Sequence, residues 1–265
     1  MKISLIITTY NWPEALFLVL QSVRHQVLVP SEIIVADDGS DFKTKDVIDN
    51  FNRDYNINVK HSWQEDHGFR AAKSRNKAIL QSSGDYIILI DGDTILHPCF
   101  VKDHFNFAES GYFVQGSRVL ISMKETQKVL EKKNINFSFF SPNLKNKKNS
   151  IHSITLSTLF SNKNNNISGI KSCNMAFYRK DCIKINGFNN DFTGWGREDS
   201  EFVVRLINIG INRKNIRFRA IQFHLWHDEN SRHSLDQNNV LLNEAIKRKT
   251  SWCLNGLKEM GENES

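Results

Sequence analysis

The chain has 265 residues, of which 40% are hydrophobic and 24% charged, with a formal net charge of +6. That length holds one large α/β domain or two small ones, one compact enzyme domain being the simpler expectation, and the composition excludes a disordered chain. No apolar run approaches the roughly 18 to 20 residues that cross a bilayer, and Cys99, Cys173, Cys182 and Cys253 form no Cys-x-x-Cys pair. With no signal-like start before the strand-like residues 3–8, a reduced, cytoplasmic setting is expected.

In chain order, residues 3–8 predict a strand, and Pro13 opens a helix with Leu16, Val19, Leu20 and Val23 at helical spacing. A second strand over 32–36 runs into Asp37-Asp38-Gly39-Ser40, and a helix follows over 43–51. A third strand fits 57–61, a helix 71–80, and a fully apolar fourth strand 86–90 that ends in Asp91-Gly92-Asp93. Such alternation predicts a mostly parallel sheet flanked by helices, with ligands beyond the carboxyl ends of the strands. A strand over 112–117 comes next, after which regular patterning fades until Gly169. Order returns with a strand over 173–178, a helix over 181–186, a helix over 198–209 closed by Gly210, a strand or two, and a terminal helix from about Gln237.

Between 123 and 171 nine lysines face two acids, Glu125 and Glu131. A solvated loop is the plain reading, and the segment is the expected mobile region. The second reading is contact with anionic lipid head groups or an acidic acceptor. Nucleic acid is not expected, because Phe137, Phe139 and Phe140 cluster without interleaved Arg.

Asp91 and Asp93 flank a glycine after a buried strand, so both carboxylates can face one pole, where they repel unless a cation joins them. Oxygen ligands suit Mg²⁺ or Mn²⁺ held together with substrate phosphates. Read alone, the triplet is also an ordinary Asp/Gly turn. Asp37-Asp38 and Thr8-Thr9-Tyr10-Asn11 fall at neighbouring strand ends, and the three edges make one rim able to hold a nucleoside. Arg70, Lys73 and Arg75 lie before and within the third helix, either as an exposed face or as a phosphate fork. Trp195 offers a flat face for a sugar ring, with Gly194 and Gly196 permitting close backbone approach. Glu198 and Asp199 open a helix, where the macrodipole alone would favour them.

The run Ser4 to Asn11, then 33–40, 68–76 and 84–93, resembles a family 2 glycosyltransferase with the GT-A fold, an α/β nucleotide-sugar-binding architecture. Residues 173–177 and Gly187-Phe188 resemble the acceptor half, and Gly194-Trp195-Gly196-Arg197-Glu198-Asp199 resembles a segment shared with galactosyltransferase-like and chondroitin-polymerase-like enzymes. The likeness implies a donor half over 1–120, the basic segment over 121–168, and an acceptor and catalytic half over 169–265 of one domain. It implies that Asp38 pairs with uracil, that Tyr10 and Thr8 line the donor site, and that Arg75 stands at the family's Arg-Asn position. Asp91 would touch ribose or metal, and Asp93 would ligate Mn²⁺ or Mg²⁺ directly. Asp199 would be the base of an inverting transfer, with Glu198, Trp195 and Gly196 on the acceptor. A metal-ligating histidine follows that helix in the family; His227 is the first choice and His224 the second. The implied reaction moves a hexose or N-acetylhexosamine from a UDP-sugar to a hydroxyl of a growing, lipid-linked bacterial surface glycan such as lipopolysaccharide, O-antigen or capsule, with peripheral contact at the inner membrane face. The rival readings are a nucleotidyltransferase, which would carry a Gly-rich phosphate loop missing near the N-terminus, and a non-catalytic nucleotide-binding module.

Overall fold

A computed structural model of the chain describes residues 1–228 and 231–263. The first half is built from β1 (Ile3–Thr9), α1 (Pro13–Arg24), β2 (Glu32–Asp37), α2 (Phe42–Tyr55), β3 (Val59–Trp63), α3 (Ala71–Gln81) and β4 (Tyr86–Asp91). Pro13 sits in the first turn of α1, where its fixed φ suits the helix, and Leu16, Val19, Leu20 and Val23 are buried along one face as the spacing predicts. Asp41 caps α2 by accepting the Lys43 N–H at 3.0 Å. The third strand lies two residues beyond the predicted 57–61.

Then come β5 (Thr94–Leu96), α4 (Phe100–Phe107), β6 (Tyr112–Gln115), β7 (Val119–Ile121), α5 (Met123–Lys132), β8 (Leu144–Lys145), α6 (Ile154–Phe160) and β9 (Asn162–Asn164). These elements correct the expectation that regular pattern fades before Gly169. α5 is capped by Ser122, whose hydroxyl accepts the Glu125 N–H, and α6 by Ser153. The chain finishes with β10 (Asn174–Tyr178), α7 (Arg179–Lys184), α8 (Glu198–Asn208), β11 (Asn212–Asn215), β12 (Gln222–His224), α9 (Leu235–Lys247) and α10 (Leu257–Asn263).

The main sheet has eight strands in the order β3-β2-β1-β4-β10-β6-β11-β9. β3, β2, β1 and β4 are parallel, β10 runs against both β4 and β6, and β11 is parallel to β6. The mostly parallel sheet expected from the strand-helix alternation is therefore present, with β10 as the reversed strand at its centre. Ile87 to Ile90 of β4 are fully buried, as a strand covered on both faces must be. A second sheet, β5-β12-β7-β8, closes over the carboxyl end of the first. One apolar cluster packs α1 and α2 on one face of the main sheet, and another packs α3, α7 and α8 on the opposite face.

The register places the site. Thr8 of β1 lies beside Asp91 of β4 and Ala36 of β2, and Thr9 lies beside Asp37, so the three polar strand ends fall on one rim.

Candidate active site

Asp93 follows β4 by two residues, and Gly92 makes the turn possible. A Cβ at Gly92 would meet the Thr9 hydroxyl at 2.8 Å, and its amide donates to the Thr8 carbonyl at 2.7 Å. The second sheet then delivers the histidines: β12 pairs antiparallel with β5, His224 opposite Thr94, and the Leu225 amide donates to the Asp93 carbonyl at 2.9 Å. Asp93 Oδ2 lies 3.3 Å from His227 Nε2 and 3.6 Å from His224 Nε2. The three side chains offer ligand atoms within 4.8 Å of one another, while Asp93 Oδ1 is buried with no protein partner. A buried carboxylate oxygen left unpaired is costly unless something else satisfies it. One carboxylate and two imidazoles therefore fit a divalent cation, with both histidines at hand rather than one. Burial pushes the His224 pKa down, which keeps its ring neutral and its lone pair open.

Asp91 stands beside this cluster, 3.7 Å from the Arg75 guanidinium. Burial, followed by the charge of Asp93, pushes its carboxyl up to about 6. Arg75, the expected diphosphate contact, is 4% exposed and already engaged by protein partners. It donates to Glu198 Oε1 at 3.0 Å and to the Thr8 hydroxyl at 3.2 Å, and packs over Phe188. Arg75 thus ties the strand ends of the first half to the start of α8.

Glu198 and Asp199 form the first turn of α8, after a left-handed Arg197. The Asp199 carboxylate accepts the Ser200 N–H at 2.6 Å and the Ser200 hydroxyl at 3.2 Å. Burial raises its pKa to about 7, with the charge of Glu198 adding to the effect. A carboxyl that gives up its proton near neutrality can act as a base there.

A cavity of about 260 Å³ opens between the two halves, lined by Tyr10, Asp38, Phe69, Trp195, His233 and Ser234 among others. Asp38 accepts from Gln64 Nε2 and from the Arg70 amide, each at 2.6 Å, and burial raises its pKa. The Tyr10 hydroxyl donates to Asp66 at 2.9 Å, which fixes a half-exposed ring at the rim. Trp195 is 40% exposed, on a loop pinned from behind: Asn238 Nδ2 donates to the Thr193 and Gly196 carbonyls at 3.1 and 2.9 Å. Gly194 has φ +69°, and any side chain there would run into Ser234. Thr8, Tyr10, Asp38, Arg75, Asp91, Asp93, Trp195, Gly196, Glu198, Asp199, His224 and His227 therefore converge on one end of the sheet. Gln64, which holds Asp38, carries no signal in its sequence context.

Residues 4–184 match the family model described as glycosyl transferase family 2, and residues 155–228 match that of the N-terminal domain of galactosyltransferase. The chain is similar to the hyaluronan synthase of Pasteurella multocida, 28% identical over 233 residues, covering 81% of this chain and 24% of that protein. It is also similar to the chondroitin synthase of Escherichia coli, 25% identical over 246 residues, covering 83% of this chain and 33% of that protein. It spans about a quarter to a third of the length of these relatives. Among solved structures, S. aureus TarS in complex with UDP superposes with a TM-score of 0.63 at 17% identity, over 94% of this chain and 65% of that one. A mannosyltransferase from Pyrobaculum calidifontis, solved with GDP-Man and Mn²⁺, gives 0.57 at 14% identity over 84% and 56%. The eight-stranded sheet with its reversed central strand is thus the GT-A architecture. With the family match running from β1 through β10 and α7, the chain belongs to glycosyl transferase family 2.

Proposed function

We propose that this chain catalyses an inverting, divalent-metal-dependent transfer of a hexose or N-acetylhexosamine from a UDP-sugar to a hydroxyl of a growing bacterial surface glycan. The observation that carries the reading is the Asp93 carboxylate, with Oδ2 beside His224 and His227 and Oδ1 buried and unpaired, on the same rim as the Tyr10–Asp38 cavity and Asp199. Two imidazoles beside one carboxylate suit Mn²⁺ better than Mg²⁺, which prefers oxygen ligands alone. Bound there, the ion would offset the charge of the diphosphate and of the leaving nucleoside diphosphate.

Tyr10 and Asp38 border the space for the base, and Asp91 stands at the ribose side. Asp199 accepts the proton of the acceptor hydroxyl as that oxygen bonds to the anomeric carbon and the bond from that carbon to the diphosphate breaks on the opposite face. Glu198, oriented by Arg75, holds neighbouring hydroxyls, and Trp195 stacks on the acceptor ring. A UDP-linked donor is supported by solved relatives bound to UDP and UDP-GlcNAc, and a polysaccharide product by the synthases named above.

No helix among the described residues is long and apolar enough to cross a membrane. Phe140, Ile154, Leu159 and Phe160 are exposed in the lysine-rich segment, which supports a lipid-linked acceptor met at an anionic bilayer surface.

The test is calorimetric titration of UDP-sugars with and without Mn²⁺, paired with transfer assays. Mn²⁺ should tighten donor binding to the native chain but not to Asp93→Ala, and Asp199→Asn should keep donor affinity within about threefold while losing at least about 10² in transfer rate. Donor binding indifferent to Mn²⁺, or equal loss of binding and transfer in Asp199→Asn, would sink the assignment.

A further inference from the structure

At the opposite end of β5 from Asp93, four residues or about 13 Å of extended chain away, a second group of ligand-type side chains gathers. His97 and Cys99 lie in the turn between β5 and α4, and His152 lies just before α6. Their donor atoms are within 4.8 Å of one another, and all three residues are half-buried. Behind them, Asp103 of α4 is fully buried and fixed on three sides. Arg219 Nε and the Ala220 amide donate to it, and His152 Nε2 lies 3.0 Å from its Oδ2. A carboxylate on one imidazole nitrogen orients the ring and leaves the other nitrogen for a ligand, which is the arrangement that supports histidine in metal sites. A His152–Asp103 pair kept for structure alone needs neither His97 nor Cys99 beside it.

We infer that His97, Cys99 and His152 form a second cation site, built for a thiophilic ion of the Zn²⁺ class and separate from the Asp93 cluster. His152 contributes Nδ1, since its Nε2 is engaged by Asp103, and Cys99 contributes Sγ. His97 Nδ1 now accepts the Cys99 amide at 3.1 Å, which sets it at the base of the cysteine side chain. Bonds of about 2.1 Å to nitrogen and 2.3 Å to sulfur place ligand atoms about 3.4 to 3.8 Å apart, so a spacing of up to 4.8 Å closes with a contraction of no more than about 1 Å. The two imidazoles are stacked, centroids 4.8 Å apart and planes 12° from parallel. Sharing one ion requires one ring to turn out of the stack; His97 is free to do so by giving up its single amide contact, whereas Asp103 holds His152. Three protein ligands leave a fourth position for water.

Co²⁺ is the probe, added to the full chain in excess Mn²⁺ so that the Asp93 cluster is occupied. The remaining cysteines are buried away from these histidines, so a thiolate-to-cobalt absorption band reports Cys99. The band should grow to saturation at one Co²⁺ per chain and be displaced by Zn²⁺. Cys99→Ser, nearly isosteric, should remove it, and His152→Gln should weaken Co²⁺ binding at least about tenfold, while Mn²⁺-dependent transfer by Cys99→Ser stays within about twofold of native. Absence of a saturable band in the native chain at micromolar Co²⁺ overturns the proposal, as does a band that persists in Cys99→Ser.

Discussion

Burial puts the Asp199 carboxyl in the range where transfer would be assayed, and the neighbouring Glu198 raises it further. Burial beside Glu198 puts the Asp199 carboxyl at about 7. About one tenth of the chains then carry the ionised base at pH 6 and about nine tenths at pH 8, so acceptor kcat/KM at saturating donor and Mn²⁺ should rise about tenfold over that interval. Glu198→Gln removes a like charge and leaves the Arg75 guanidinium, now 3.0 Å from Glu198, to act on Asp199 and Asp91. A unit charge about 4 to 5 Å away at an effective dielectric of about 20 is worth about 3 to 4 kcal/mol, or two to three pH units. With solvent screening, a fall of about one unit is expected. The inflection should therefore move from about 7 to about 6, even if the variant's maximal rate drops. Single-turnover assays across pH 5.5 to 8.5 read this without interference from product release. A flat native profile, or an inflection unmoved in Glu198→Gln, would refute the link between Asp199 and Glu198. The same shift has a sign for stability: a raised carboxyl pKa means the fold holds a proton the unfolded chain releases. Asp199 and Asp91 therefore make the metal-free protein lose stability as pH rises from about 4 towards 6 to 7.

Trp195→Ala should raise the acceptor KM about tenfold through loss of a stacking face, leaving donor KM within about twofold; an equal rise in both would move Trp195 to the donor side. Arg205 is fully buried, paired with Glu201 at 2.7 and 2.8 Å and donating to the Gly187 carbonyl at 2.7 Å. Arg205→Met should cost about 3 to 5 kcal/mol in urea unfolding because it strands Glu201, and Arg205→Met with Glu201→Leu should recover most of it. A single-variant cost under about 1 kcal/mol would show that the pair is not what holds α8 to the Gly187 turn.

The first four strands and three helices are readable because their burial has a period: Leu16, Val19, Leu20 and Val23 on one stripe, and an unbroken apolar β4. α4 escapes because it is eight residues long and starts straight after the 97–99 turn, and β7 because three residues are too few to show alternation. α5 did leave a signal, Ser122 three residues before Glu125, the pattern of a capping box. The carboxylates of the rim were legible, since each ends a predicted strand. The choice between His224 and His227 was not, because both reach Asp93 only through the antiparallel pairing of β12 with β5, a contact between segments over a hundred residues apart. The burial of Arg75 was hidden for a related reason: its position in α3 is plain from the chain, but its burial depends on Glu198 folding back onto it from the other half.

The loop that presents Trp195 owes its shape to Asn238 and Ser234, which grip Thr193, Gly194 and Gly196 from α9 and the residue before it. The segments shared with the two matched families end at residue 228. The surface around Trp195 is therefore shaped by a part of the chain that lies beyond the two family matches. On the acceptor role proposed above for Trp195, substitutions in α9 would reshape that surface without touching a strand end, a carboxylate or the Asp93 cluster, so changes of acceptor among relatives of this chain are to be sought there first.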